Sequence, residues 1–369
     1  MSDRLWDQNK AAASPRRGVR LASTILAGTA AAALLGACGS AGASSPTTAQ
    51  AASGKAKVPI TLYEAEGYGP SVAQAFTAKT GIPVRVVDHS TGTLLAKIQA
   101  EGSNPQWNML WVDGDEPFAS LDKAGYLLKG FLPSSGSLNP VGRRLVPADK
   151  SFIPTGTTVA GAVVYNSKVV SSPPASWQDL LKPQWRGAVG MNNPALSGPT
   201  YPFVAGMMQM LGGVNPGEHY FQSLKANGLH VFPTNKVTLG ALVAGTIKLA
   251  VVQNSAGLGF AYKNPGLKVA YPSKVTLLPG ILGIDSHASA TQIAESKQFA
   301  NFVYSPQGQA AMLAGDPHGD SLFSPVVTGT IPHKAVPSLS SLPLQVLNPY
   351  VWGSRESQVN TFFTNQIVG

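Results

Sequence analysis

The chain has 369 residues, of which 44% are hydrophobic and 12% charged. It is long enough for two lobes and too apolar for a disordered chain. Its single cysteine, Cys38, excludes a disulfide framework and a cysteine-based zinc site. The formal net charge is +9. Arg4, Lys10, Arg16, Arg17 and Arg20 against Asp3 and Asp7 put +3 of it in residues 1–37. The remaining +6 is spread without the basic cluster that a nucleic-acid footprint requires.

Residues 1–37 read as an export signal. Arg16, Arg17 and Arg20 precede an uncharged apolar run, Leu21 to Leu35. At about 15 residues this run is shorter than the roughly 20 that span a bilayer. A basic region, a short apolar region and then small residues make a secretory signal. The run ends Leu35-Gly36-Ala37-Cys38, which resembles a bacterial lipoprotein signal. That resemblance implies lipidation of Cys38 and anchoring at the outer face of the cell membrane. Arg16-Arg17 admits a twin-arginine route, but Gly18-Val19-Arg20 matches that motif poorly. Residues 38–57, rich in Gly, Ala, Ser and Thr, read as a flexible tether.

From Val58 onward strands and helices alternate. Val58–Tyr63, Pro83–Val87 and Trp107–Val112 read as strands, with helices over 71–80 and 93–101 between them; Gly81 closes the first helix. Residues 130–157, rich in Pro, Gly and Ser, read as surface connection. Strands follow over 159–165, 188–191, 229–232, 248–253, 267–271 and 275–284. Helices are expected over 176–181, 197–211, 217–227, near 235–245 and 256–263, and over 291–304 and 306–313. The tail from Val326 is irregular, with a last helix near 356–367. The pattern predicts an α/β protein of two lobes, each a mostly parallel sheet flanked by helices, with a ligand cleft between them. Lobe 1 is expected to hold residues 58–157 and 276–325, lobe 2 residues 158–275, and residues 326–369 to form an extension packed on both.

Several stretches resemble the extracellular solute-binding proteins of bacterial ABC importers, in the branch that binds ferric iron, thiamine, polyamines and 2-aminoethylphosphonate. They are Ala73–Val84, with its Lys79-Thr80-Gly81 stop; Ser176–Gly187, with Trp177 and Trp185 ahead of a glycine; and Gln298–Gln309, with Phe299, Phe302 and Ser305-Pro306. The resemblance runs from about Ile60 to Val326. It implies the type II periplasmic-binding-protein architecture, a small-molecule ligand and a membrane permease as partner. Iron-binding members carry adjacent tyrosines where this chain has Gln253-Asn254-Ser255-Ala256, and a histidine where it has Glu64-Ala65-Glu66-Gly67-Tyr68. Amide and hydroxyl groups replace phenolate poorly as ligands for a hard cation.

Charged residues are scarce, so their grouping is informative. Glu64 and Glu66 follow the first strand, and Asp113, Asp115 and Glu116 the third. Both loops leave a parallel sheet at one edge, and a carboxylate wall there favours a cation. Asp113 and Asp115 could instead cap the next helix. No strong helix start directly follows Glu64, which favours a ligand role for it. Ser90-Thr91-Gly92-Thr93 and Ser197-Gly198-Pro199-Thr200-Tyr201 each open a helix, where free N–H groups hold ligand oxygens. Relatives have a Ser-Gly-Thr type sequence at the second place; Pro199 removes one donor here. Asn235, Gln253, Asn254 and Ser255 end further strands, and Tyr68 and Tyr165 complete the candidate set. Trp107, Trp111, Trp177 and Trp185 could form an aromatic face, with core packing favoured for the last two. The six histidines show no metal-binding spacing, and neither a phosphate loop nor a nucleophile elbow is present. The expectation is a lipid-anchored, monomeric solute-binding protein without cofactor, metal or catalysis. It closes two lobes on a small polar solute, with an aminophosphonate-like zwitterion favoured. A ferric-iron receptor, or an enzyme or sensor on the same fold, is the alternative.

Overall fold

The computed structural model describes residues 57–369; the signal, Cys38 and nearly all of the tether lie outside them. Five strands build most of the first sheet: β1 (Ile60–Glu64), β2 (Val84–Asp88), β3 (Met109–Asp113), β4 (Phe152–Val159) and, after an excursion, a long return strand, Val275–Ile284. The excursion forms a second sheet from β5 (Ala162–Asn166), β6 (Val189–Asn192), β7 (His230–Phe232), β8 (Leu249–Val252) and β9 (Leu267–Ala270). The return strand is β10. Two short strands, β11 (Ser324–Pro325) and β12 (Leu344–Gln345), complete the set. The first sheet runs β11-β4-β10-β3-β1-β2, with β12 on β10, and the second β7-β6-β8-β5-β9. The chain therefore crosses between sheets twice, between Val159 and Ala162 and between Ala270 and Val275.

β1 is parallel to β2 and β3, so Glu64 lies level with Asp88 and Trp111 at the carboxyl edge of the first sheet. In the second sheet β6, β7 and β8 run parallel, and the helices after them begin at Thr200, Asn235 and Asn254. Crossover helices place both sets of strand ends on the same side as their loops, which is where open α/β sheets bind ligands.

Two expectations need correction. Residues 130–157 are not all surface connection. They include a short helix, Pro140–Leu145, and most of β4, all eight residues of which are buried. The apparent breakers in β4 have local reasons. Phe323 fills the space beside Gly156, where a Cβ would come within 2.6 Å of its ring. Thr155 Oγ1 donates to the Gly280 carbonyl at 3.1 Å and accepts from Trp111 Nε1 at 3.0 Å. A buried hydroxyl with both partners costs little. The tail is also more ordered than its composition suggested. Trp352, Val359, Phe363 and Ile367 are buried in the core of the second lobe. Tyr350 reaches the first lobe and donates to Asp122 Oδ2 at 2.8 Å.

Candidate functional site

The two sheet edges face each other across a cavity of about 210 Å3. From the first lobe it is lined by Ala65, Ser90, Thr91, Asp113 and Asp320, and from the second mainly by Ser197, Gly198, Asn235, Lys236 and Gln253. That volume is below the roughly 300–1,000 Å3 of drug-sized ligand sites. It suits a small molecule. The lobes touch around it: Gln253 Nε2 donates to Asp113 Oδ2 at 3.0 Å across the cleft. Two glycines allow this approach. A Cβ on Gly92 would come within 2.2 Å of the Ala195 carbonyl, and one on Gly198 within 2.2 Å of Thr91 Oγ1.

The first-lobe wall is acidic and buried. Glu64, Glu66 and Asp113 are at most 8% exposed, and Asp320 adds a fourth carboxylate. Among the described residues no lysine, arginine or histidine forms an ion pair with any of the four. Glu64 Oε1 and Glu66 Oε1 have no hydrogen-bond partner. Burial is the main cause that pushes Glu64 up to about 8, with Asp88 adding to it. Burial, then Asp113 and Asp320, holds Glu66 well above the carboxylate range. Burial, then Asp320, does the same for Asp113. Asp320 rises only to about 6, through burial opposed by the N–H of Gly67, which donates to its Oδ2 at 2.9 Å. Without a cationic partner, burial therefore disfavours the ionised form of these acids, and a bound cation would restore it.

The second-lobe wall is built from helix starts. Asn192, fully buried at the end of β6, organises it. Its Nδ2 donates to Ser197 Oγ at 3.1 Å and to Asn235 Oδ1 at 2.6 Å, and its Oδ1 accepts from Thr238 Oγ1. Ser197 and Asn235 are thereby fixed beside the first turns of helices Thr200–Met210 and Asn235–Val243. Free N–H groups and the helix dipole there favour negative charge, and Lys236 adds a cation.

The structure brings seven of the sequence-selected residues to this cavity: Ser90, Thr91, Asp113, Ser197, Gly198, Asn235 and Gln253. Glu64 is set back. Its Oε2 accepts from the Glu66 N–H at 2.9 Å and lies where a Cβ on Gly69 would fall. A helix does start close to Glu64 after all, at Gly69. Tyr68 is core, edge-on to Trp111 at 5.3 Å. Trp107, Trp177 and Trp185 are buried as well. Asp115 belongs to another buried acidic group, with Glu116 and Glu356, and burial raises it to about 7. Its side chain makes no capping bond to the helix that follows. Thr93 is exposed, its Oγ1 2.9 Å from Ser90 Oγ. Thr200 is buried in the first turn of its helix. Tyr201 is buried in the second-lobe core and donates to the Trp352 carbonyl at 2.5 Å. Tyr165 packs at the edge of that core. Asn254 ties the crossings together, its Oδ1 accepting from Val159 N–H at 2.8 Å and its Nδ2 3.4 Å from Tyr271 Oη. Ser255 Oγ lies 3.5 Å from Asp320 Oδ1.

Sequence reasoning missed Asn192, Lys236 and Asp320. Asp320 sits in a Gly-Asp turn well after the predicted strands, where only the fold shows that it returns to the cleft. Among the described residues no group of three or more His, Cys, Asp or Glu is arranged to hold a metal ion.

Residues 71–337 match the family described as bacterial extracellular solute-binding protein. The chain belongs to that family. It is similar to a Salmonella typhimurium periplasmic protein named for 2-aminoethylphosphonate binding, with 26% identity over 64% of this chain and 68% of that one. It is also similar to the major ferric iron-binding protein of Neisseria meningitidis serogroup B, with 25% identity over 69% of this chain and 78% of that one. Among solved structures, iron-bound HitA from Pseudomonas aeruginosa superposes with a TM-score of 0.69 at 22% identity, covering 82% of this chain and 98% of its own. The fold is the two-lobed one of periplasmic binding proteins.

Proposed function

We propose that this solute-binding protein serves an ABC importer and that its solute is a small zwitterion of the aminophosphonate kind. The carrying observation is the pairing of walls. Asp113 and Asp320, acids without a cationic partner and close enough to Glu66 to raise it, line one side of a small cavity, and two helix starts with Ser197, Asn235 and Lys236 line the other. An ammonium group completes the first wall, and a phosphonate or carboxylate the second. The name of the Salmonella relative supports the same choice. The lobes are residues 58–157 with 276–325, and 158–275; residues 326–369 brace both. The solute selects the closed arrangement and is released unchanged to a membrane permease. The protein acts as a monomer outside the cytoplasm, exported by residues 1–37 and held by lipid on Cys38 through the tether 38–57. Cys38→Ala then releases it from membranes into the soluble fraction.

Ferric iron fits less well. The segment that would supply tyrosines is Gln253-Asn254-Ser255, whose side chains contact Asp113, Val159 and Asp320. Calorimetry with 2-aminoethylphosphonate, ethylphosphonate and ferric citrate tests the reading. Tight binding of the aminated compound and weak binding of the deaminated one is expected. Binding of iron alone would overturn it.

A further inference from the structure

Asp320 is placed differently from the other acids of its wall. Glu64 and Asp113 end strands of the first sheet, and Glu66 lies just beyond β1. Asp320 rides on a tight loop, residues 316–320, between helix Pro306–Gly315 and β11. The loop is braced from within, the Asp320 N–H donating to Asp316 Oδ2 at 2.8 Å. Gly67 braces it on the first lobe. It also reaches the second lobe along one helix, Asn254–Lys263. Ser255 meets Asp320, and the His318 ring stacks on Tyr262 with centroids 4.4 Å apart and planes at 22°. The His318 carbonyl presses on Gly259 so closely that a Cβ there would lie 1.7 Å from it. That helix begins directly after Gln253, the cross-cleft partner of Asp113. One short loop therefore carries both a cavity-facing carboxylate and a contact between lobes.

We infer that the loop 316–320 is a charge-sensing latch: Asp320 takes the cationic group of the solute, and the seated loop holds His318 against Gly259 and Tyr262 of the second lobe. The inference rests on the zwitterion reading above and adds which carboxylate reports the charge and how closure follows. A solute shifts the open–closed equilibrium only by its preference for the closed state. A cation on Asp320 supplies that preference, because the same loop carries the contact that holds the two lobes together. A deaminated solute fills the second wall and leaves the latch without its counter-charge.

Two substitutions separate the parts. Asp320→Asn removes the charge and keeps an oxygen for the Gly67 N–H. Gly259→Leu blocks the latch contact and lies outside the cavity lining. Calorimetry is run with 2-aminoethylphosphonate and ethylphosphonate, and small-angle scattering with and without the first. Asp320→Asn is expected to weaken the aminated compound about ten- to a hundredfold and the deaminated one by less than about twofold. Gly259→Leu is expected to weaken both by one common factor and to keep the saturated protein at a larger radius than wild type. If Gly259→Leu misfolds, Tyr262→Ala at an exposed position replaces it, with a common loss of about two- to tenfold. Equal losses for both compounds in Asp320→Asn would make Asp320 a mere brace and overturn the sensor. Selective loss in Gly259→Leu, or normal compaction, would overturn the latch. A wild-type protein that binds neither phosphonate overturns the zwitterion reading and not the latch. The solute-free radius then decides the latch: Gly259→Leu enlarges it, and an unchanged radius overturns the inference.

Discussion

On the second-lobe wall, Asn192 uses both ends of its side chain on neighbours, and Ser197, Asn235 and Thr238 are held by it. On the first-lobe wall, Glu66 keeps a buried carboxylate oxygen with no partner, and Asp113 has one amide from across the cleft. One wall is complete without a solute, and the other is not. A satisfied network fixes geometry, while an unneutralised one stores electrostatic demand that a ligand can meet. The anionic end of the solute should therefore be selected by shape, and its cationic end should supply most of the selectivity. Substitutions on the two walls should then fail in different ways.

The largest effect is expected on the complete wall. Asn192→Ala removes three hydrogen bonds at a fully buried site and takes their donor from Ser197 Oγ and Asn235 Oδ1. The expected loss is about 4 kcal/mol of stability, measured by denaturant unfolding. The affinities for aminated and deaminated solutes should fall together. A stable Asn192→Ala protein that changes only its selectivity would reverse the assignment of the two walls.

Next comes Glu64, where the demand of the acidic wall meets folding stability. Its carboxyl is pushed up to about 8, above the ordinary value of 4.5. The native state thus holds a proton that the unfolded chain releases as pH rises above 4.5, so the solute-free protein loses stability between about pH 5 and pH 8. The midpoint of thermal unfolding should fall across that window. Glu64→Gln should flatten the fall and stabilise the protein by roughly 2–3 kcal/mol at pH 9. A profile in which stability rises with pH and Glu64→Gln has no effect would show that the wall is neutralised by something else.

Asp113→Asn should cost less, and only in binding. The new amide oxygen still accepts from Gln253, so the lobes keep their contact, but the side chain can no longer ionise against an ammonium group. Aminated solutes should lose about ten- to a hundredfold in affinity, or roughly 1.5–3 kcal/mol, and deaminated ones should hold. Isothermal calorimetry on both solutes measures this directly. An equal loss for the two would place the ammonium group elsewhere.

What the sequence showed and what it hid follow from range. Alternating apolar runs with Gly81 as a stop predicted the strands and helices, because those signals are local; Gly81 has a positive φ of 71°. β4 was hidden because its Pro154, Gly156 and threonines read as a loop, and only Phe323 and Gly280, more than a hundred residues on, explain their burial. The carboxylates after β1 and β3 were visible because strand ends are predictable. Asp320 was not, since its place depends on a loop returning across the fold. The tyrosines misled for a related reason. Tyr201 follows the Ser-Gly-Pro-Thr helix start in sequence, yet the helix turns its ring into the second-lobe core.

The smallest effect concerns the polar run Ser90-Thr91-Gly92-Thr93. As a sequence it looked like one ligand-binding unit. In the structure the helix begins at Thr91, so the three side chains point in different directions. Ser90 and Thr91 line the cavity, Gly92 lets the lobes meet, and Thr93 faces solvent. Its only side-chain hydrogen bond among the described residues is with Ser90 Oγ at 2.9 Å, an exposed hydroxyl pair that water replaces at little cost. Thr93→Ala should change stability by less than about 0.5 kcal/mol and affinity by less than about twofold. Gly92→Ala, one position earlier, should do more, because its Cβ would come within 2.2 Å of the Ala195 carbonyl and prop the lobes apart. It should weaken aminated and deaminated solutes alike and enlarge the solute-bound radius in scattering. A large selective loss in Thr93→Ala, with Gly92→Ala silent, would mean that the run acts as one ligand-binding unit and that the first-lobe wall extends beyond its carboxylates.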